Sequence, residues 1–204
     1  MDEKNSIYGP YRPELEKIEK ELLDEIDTLR ERLKQKNGMD PVEHCLSRIK
    51  SEESMREKCV RKGLPVTTES ALTKIYDAVG IRVVCAFIDD IYRFRDHLIA
   101  LPGTEVIEEK DYIKHAKPNG YRSYHMILRM HQKFYAEIQL RTISQDTWAA
   151  LEHHIRYKHD IGKSNEELIA SELKRCADEL ASTDLSMQTI RDMIFEDNGK
   201  SETE

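Results

Sequence analysis

Lys117-Pro-Asn-Gly-Tyr-Arg-Ser-Tyr-His125 and, after a short gap, Glu137-Ile-Gln-Leu-Arg-Thr142 are the stretch from which the fold is read. The first half is a Pro/Gly turn running into a strand that carries cations, a stackable ring and an imidazole. The second is a strand with one wholly polar face. Side chains in a strand alternate, so Ala136, Ile138 and Leu140 point one way and Tyr135, Glu137, Gln139 and Arg141 the other. A solvated edge tolerates that pattern; a carboxylate, an amide and a guanidinium in line also suit an anionic ligand with a metal.

Register tests the two strands against each other. A three-residue connection at His131 to Lys133 pairs Met130 with Phe134, Leu128 with Ala136 and Met126 with Ile138, apolar against apolar. The other face then sets His125 opposite Gln139 and Ile127 opposite Glu137. A slip of one residue would put Met126 against Glu137, so the hydrophobic pattern selects the first register.

Working outward, Gly80 to Phe87 is a nearly continuous apolar run broken only by Arg82, which predicts a central strand covered on both faces. Pro13 followed by Leu15, Ile18, Leu22, Ile26, Leu29 and Leu33 predicts a long amphipathic helix ending near Asn37-Gly38. A second helix is expected after Asp40-Pro41, through the basic segment to Lys62-Gly63-Leu64-Pro65. Asp89 and Asp90 are expected to cap a helix from Ile91 to Leu101, and Thr104 to Ile113 reads as a more polar strand. Thr142 and Ser144 can start a helix through Trp148 to Tyr157. Another spans about Asn165 to Ile194, with Leu168, Leu173, Cys176, Leu180, Met187 and Ile190 as its apolar set. Helices around a mixed sheet predict an α+β, nucleotidyltransferase-like arrangement.

The chain has 204 residues, 39% of them hydrophobic, enough to bury a core as one domain. The expected layout is an arm over 1–12, one domain over 13–195 and a disordered polar tail over 196–204. Long terminal helices have more apolar surface than one sheet face needs; pairing with another subunit and packing within the chain both account for it. No apolar run nears the ~20 residues of a membrane span, and the first residues lack the apolar stretch of a signal peptide, so a cytoplasmic location is expected. Cys45, Cys59, Cys85 and Cys176 lack zinc-knuckle spacing and suggest no disulfide framework.

A formal net charge of -7 argues against an extended nucleic-acid surface. Cations nevertheless concentrate in two places. Arg48, Lys50, Arg56, Lys58, Arg61 and Lys62 outnumber the acids around them, and Lys114, Lys117 and Arg122 lie in a stretch without acids. An acidic protein with two basic segments suits a small polyanion, although each segment alone also reads as a solvated face.

Phosphoryl transfer between nucleotides needs a divalent metal, cations along the phosphates and a group that orients or deprotonates the attacking hydroxyl. Asp77, just before the apolar strand, is placed to hold Mg²⁺ with phosphate oxygens completing the shell. Arg82 on that strand is costly to bury without an anion. Glu137 supplies a second carboxylate. Singly, Asp77 also reads as a cap, Glu137 as a surface residue, Tyr121 as a packing aromatic and His125 as a satisfied sheet histidine.

Five segments together resemble, in order and spacing, the synthetase domain of the RelA/SpoT family. They are Arg48-Ile-Lys50-Ser-Glu-Glu-Ser54 with Lys58 and Arg61; Tyr76-Asp77-Ala-Val-Gly-Ile-Arg82; Lys117 to His125; Ala136 to Thr142; and Trp148-Ala-Ala-Leu-Glu-His153. The resemblance covers roughly 41–158, and the whole chain is similar to the small, stand-alone alarmone synthetases. It implies transfer of the pyrophosphate of ATP to the 3′ hydroxyl of GDP or GTP, giving ppGpp or pppGpp and AMP. It implies that Arg48 and Arg82 sandwich adenine and that Lys50, Ser54, Lys58 and Arg61 hold the phosphates of ATP. Asp77 would bind Mg²⁺, with Glu137 as general base or second metal contact. Tyr121 would stack on guanine, and Lys117, His125, Gln139 and Arg141 would line the acceptor side.

The long members' hydrolase and regulatory domains are not expected here, and the terminal helices are expected to build a homo-oligomer, with a tetramer favoured. His44-Cys45-Leu46-Ser47 departs from the aromatic and threonine found at the product-binding cleft of some small synthetases, which puts product activation in doubt. His153, His154 and His159 read either as exposed side chains or as transition-metal ligands, and His159-Asp160 as a chance dipeptide. Two other classes stay open: a catalytically silent nucleotide-binding regulator, and a toxin-type relative acting on the 3′ end of tRNA.

Overall fold

The computed structural model describes residues 6–158 and 166–201. Its elements run α1 (Arg12–Asn37), β1 (Val42–Ile49), α2 (Glu52–Arg61), a π-helical turn (Ser70–Lys74), β2 (Val79–Cys85), α3 (Ile88–Ile99), β3 (Thr104–Asp111), β4 (Tyr124–Met130), β5 (Phe134–Thr142), α4 (Ile143–Lys158) and α5 (Glu166–Ser201). The strands form one mixed sheet in the order β1-β2-β5-β4-β3. Only β2 and β5 pair in parallel among the four neighbouring pairs. The result is the expected α+β sheet flanked by helices.

Helix α1 begins with Pro13 in its first turn and ends at Gly38, whose φ of 69° is left-handed and whose N–H donates to Lys34 O. Leu15, Ile18, Leu22, Ile26 and Leu29 form its buried stripe. That stripe and Phe94 and Leu98 of α3 pack on one sheet face made of Val79, Ile81, Val83, Met126, Leu128, Ala136, Ile138 and Leu140. The β4–β5 hairpin adopts the register that apolar matching requires, Met126 to Ile138 and His125 to Gln139 included. His131 and Gln132 turn it with left-handed φ values of 51° and 57°.

Three expectations are corrected. The helix expected from Asp40 through the basic segment is a strand followed by a shorter helix, because residues 42–49 pair along β2 and bury Val42 while Cys45 and Ile49 pack on the core. Tertiary pairing thus overrides local preference. Helix α2 starts only at Glu52, where Ser51 Oγ accepts from Ser54 N–H at 3.2 Å. Strand β2 is not covered on both faces along its length: Gly80 and Arg82 stay partly exposed. Asp89 and Asp90 do not cap α3, whose N-cap position is Phe87; they lie in its first turn, paired with Arg191 and Arg93.

The N-terminal segment is tied down by buried Ile7 and Tyr8, and Tyr8 Oη donates to Lys50 O at 2.6 Å. Helix α5 packs on α4, where Trp148 Nε1 donates to Leu173 O at 2.8 Å. Of its expected apolar set, Leu168, Met187 and Ile190 are exposed. Its backbone continues past Ile194 to Ser201. His159-Asp160 and the last residues of the expected tail, 202–204, lie outside the described residues.

Candidate active site

The sheet register lays the sequence-selected residues in two rows across the face that α1 and α3 leave open. Arg48, Gly80, Glu137 and Ile127 are successive partners in one row; Leu46, Arg82, Gln139 and His125 are partners in the next. Side-chain alternation turns both rows to the same side. Between them lies a cleft of about 180 Å³ lined by Arg48, Gly80, Arg82, Glu137 and Gln139. A smaller recess beside it is lined by Lys110, His125, Ile127 and again Glu137. Glu137 therefore stands at the boundary of two recesses, and Gln139 Nε2 donates to its Oε2 at 3.4 Å.

Asp77 precedes β2 and is met from two other elements. Lys58 Nζ of α2 donates to its Oδ2 at 2.6 Å, and Lys50 Nζ, just past β1, lies 3.1 Å from the same oxygen. Burial pushes this carboxyl up, and Lys58 and Lys50 more than cancel that push, holding it below the ordinary carboxylate value. Its Oδ1 is buried without a hydrogen-bond partner among the described residues, an oxygen suited to a cation. Ser54, Lys58 and Arg61 fall at i, i+4 and i+7 of α2 and so share the face that reaches Asp77; Ser54 and Arg61 are exposed.

On the other side, the turn before β4 places Tyr121. Gly120 takes φ +92° and donates its N–H to Lys117 O at 2.8 Å. Arg141 Nη2 donates both to Tyr121 Oη at 2.8 Å and to Gln139 Oε1 at 3.0 Å, and Tyr121 Oη lies 2.7 Å from His125 Nε2. Tyr121 Oη accepts from Arg141 and can donate onward to the imidazole when the ring is neutral. Burial first, then the charges of Arg141, Lys117, Lys110 and Arg82, push His125 down to about 4. Lys117 Nζ lies 4.6 Å from the Tyr112 ring centroid and 4.7 Å from that of Tyr121.

The structure brings Arg48, Lys50, Lys58, Asp77, Arg82, Lys117, Tyr121, His125, Glu137, Gln139 and Arg141 to this face or its edges. It turns Arg122 away, onto Gly120 O, Ala177 O and Asp178 of the α5 side. Only part of the second basic segment therefore reaches this face. His153 and His154 are exposed on α4, and among the described residues no three His, Cys, Asp or Glu side chains gather at one point.

Asp146 was missed by sequence reasoning. It lies in the first turn of α4, with Oδ1 3.0 Å from Arg141 Nη1 and 3.3 Å from Arg82 Nη1. Only its helix start carried a signal. Thr142 and Gln145 form a capping box, Gln145 N–H donating to Thr142 Oγ1 at 3.1 Å and Thr142 N–H to Gln145 Oε1 at 3.3 Å, which starts a helix at the end of β5.

A mixed sheet whose open face carries Glu137, with Asp77 just before β2, flanking lysines and arginines from three strands defines a nucleotidyltransferase-like synthetase. The model of the region found in RelA / SpoT proteins matches residues 47–162. The GTP pyrophosphokinase YwaC of Bacillus subtilis is 38% identical over 191 residues, covering 87% of this chain and 89% of that protein. The crystal structure of small alarmone synthetase 1 from Bacillus subtilis bound to its product pppGpp superimposes with a TM-score of 0.73 at 28% identity, over 91% of this chain and 94% of that one. A second structure of that synthetase, bound to AMPCPP, matches with a TM-score of 0.67 at 28% identity, over 92% and 94%. The chain belongs to the RelA/SpoT family.

Proposed function

We propose that this chain is a (p)ppGpp synthetase, a GTP diphosphokinase that moves the pyrophosphate of ATP to the 3′ hydroxyl of GDP or GTP. The observation that carries this is the position of Glu137, shared between the arginine-lined cleft and the His125 recess. Arg48 and Arg82 flank adenine across the cleft; a guanidinium stacks well on a base, and Arg82 Nε has no hydrogen-bond partner among the described residues to lose. Lys50, Ser54, Lys58 and Arg61 follow the phosphates. Tyr121 stacks on guanine, and Lys117, His125, Gln139 and Arg141 line the acceptor.

The acceptor's 3′ oxygen attacks the β-phosphorus of ATP while the bond from that phosphorus to the α-phosphate bridging oxygen breaks. Glu137 takes the hydroxyl proton or serves as a second metal contact, and AMP leaves with the electron pair on its phosphate oxygen. Bare Oδ1 fits Asp77 to Mg²⁺, which when bound neutralises phosphate charge. Lys50 and Lys58, at the same carboxylate, are placed to pass from Asp77 to the phosphates.

Residues 13–195 form one catalytic unit in this reading. Exposed Leu151, Ile155, Leu168, Leu185, Ile190 and Met193 on α4 and α5 support a homo-oligomer, with a tetramer favoured. No helix among the described residues is long and apolar enough to cross a membrane, which agrees with work on nucleotides in the cytoplasm during the stringent response. The test is to incubate the purified chain with Mg²⁺ and β,γ-labelled ATP plus GDP, GTP, GMP or tRNA separately. AMP with ppGpp or pppGpp is expected. Label on tRNA alone, or ATP left intact with GDP and GTP, would overturn the reading.

A further inference from the structure

We infer that Asp146 is a positioning residue that holds one arginine on each side of the site, Arg82 of the donor cleft and Arg141 of the acceptor side, from a single carboxylate. This rests on the site reading above. Arg82 and Arg141 lie on neighbouring parallel strands, opposite Gln139 and Val84 respectively, so two guanidiniums share one sheet face. Like charges so close repel, and burial together with Arg141 lowers the proton affinity of Arg82. One carboxylate between them offsets the repulsion and sets their spacing.

Three observations make Asp146 a fixed anchor rather than a passing surface contact. Its helix start is clamped by the Thr142–Gln145 capping box, and Thr142 Oγ1 donates to buried Asp184 of α5 at 2.6 Å. Its Oδ1 meets both arginines, and Oδ2 lies 3.8 Å from His44 Nε2 on β1. Arg141, with 6% side-chain exposure, uses Nη1 for Asp146 and Nη2 for Tyr121 and Gln139. Moving Asp146 therefore tilts the guanidinium that orients the acceptor ring. Asp146 does not line the cleft, so it acts on both nucleotides through its partners.

Asp146→Asn keeps the shape and one acceptor oxygen but removes the charge; Asp146→Glu keeps the charge and displaces it. In the full chain, steady-state transfer from ATP to GDP is measured together with calorimetric binding of AMPCPP and the melting temperature. Expected for Asp146→Asn is a KM for each nucleotide raised about tenfold, kcat lowered less than about threefold, and a lowered melting temperature, because the Arg82–Arg141 repulsion is left uncompensated. Asp146→Glu should recover part of the loss. Added to Arg82→Ala, Asp146→Asn should raise the KM for ATP by less than about twofold more, because its effect runs through Arg82. Unchanged KM values and unchanged AMPCPP affinity overturn the proposal, as does a full additive loss on Arg82→Ala. A wild-type chain that binds AMPCPP yet makes no (p)ppGpp overturns the activity reading instead, and the AMPCPP affinity of Asp146→Asn then decides the role of Asp146.

Discussion

Lys58 Nζ lies 2.6 Å from Asp77 Oδ2, and Lys50 Nζ 3.1 Å from the same oxygen, so two ammonium groups neutralise the carboxylate assigned to the cation. A cation must compete with them, and triphosphate relieves the competition by drawing them off. Mg²⁺ and ATP should therefore bind with positive coupling, each tightening the other by the same factor, on the order of tenfold. Calorimetry of Mg²⁺ with and without AMPCPP reads that factor. Lys58→Ala should tighten Mg²⁺ binding alone while weakening AMPCPP, and the opposite pattern would remove the competition from the account.

Glu137→Gln should keep the fold and both nucleotide affinities, since it preserves shape and a hydrogen bond from Gln139. It should lower product formation by at least about 10²-fold, the usual scale for losing a general base. Asp77→Ala should abolish transfer as well, with folding intact. Nucleotide chromatography checks both; AMP and ppGpp formed at near wild-type rates by either variant would remove that residue from its role.

His125 is held down at about 4, against an ordinary value of 6.5, by burial and by the surrounding cations. Between these pH values the unfolded chain binds a proton that the folded chain does not. Stability must then fall as pH drops from 6.5 towards 4, because acidification favours the state that takes up the proton. The His125 ring resonances should titrate near 4, and His125→Gln should flatten that part of the stability profile. A ring that titrates at 6.5 would instead break the chain from Arg141 through Tyr121 to a neutral imidazole.

Gly120 fixes the approach of the turn before β4 to α5. A Cβ there would stand 2.6 Å from Ala177 Cβ and 3.2 Å from Lys174 Cα, at a φ of +92° that side chains rarely adopt. Gly120→Ala should cost about 1–3 kcal/mol by overpacking, with left-handed strain in addition. Because Tyr121 is the next residue, the KM for GDP should rise more than that for ATP. Chemical denaturation and substrate-resolved kinetics separate the two effects.

The strand pair from Tyr124 to Thr142 was legible because its two faces differ so strongly in polarity that a slip of one residue would bury Glu137. Helix α1 was legible for a related reason, five buried aliphatics at helical spacing between Pro13 and Gly38. Strand β1 was not. Val42 to Ile49 has no clean alternation, and it is extended because the edge of β2 supplies its hydrogen bonds. Asp146 escaped for a similar reason: its meaning comes from Arg82, far away in the chain.

The order of apolar and polar residues alone determined the α+β class, the hairpin register and the set of side chains facing one way from β5, because period and polarity are local properties. Tertiary structure decided what those side chains meet. Parallel pairing of β2 with β5 puts Arg82 beside Gln139, α2 carries Lys58 to Asp77, and α4 folds Asp146 between two arginines. Such contacts depend on long-range pairing and charge compensation, which become defined only when the sheet has closed and its helices have packed.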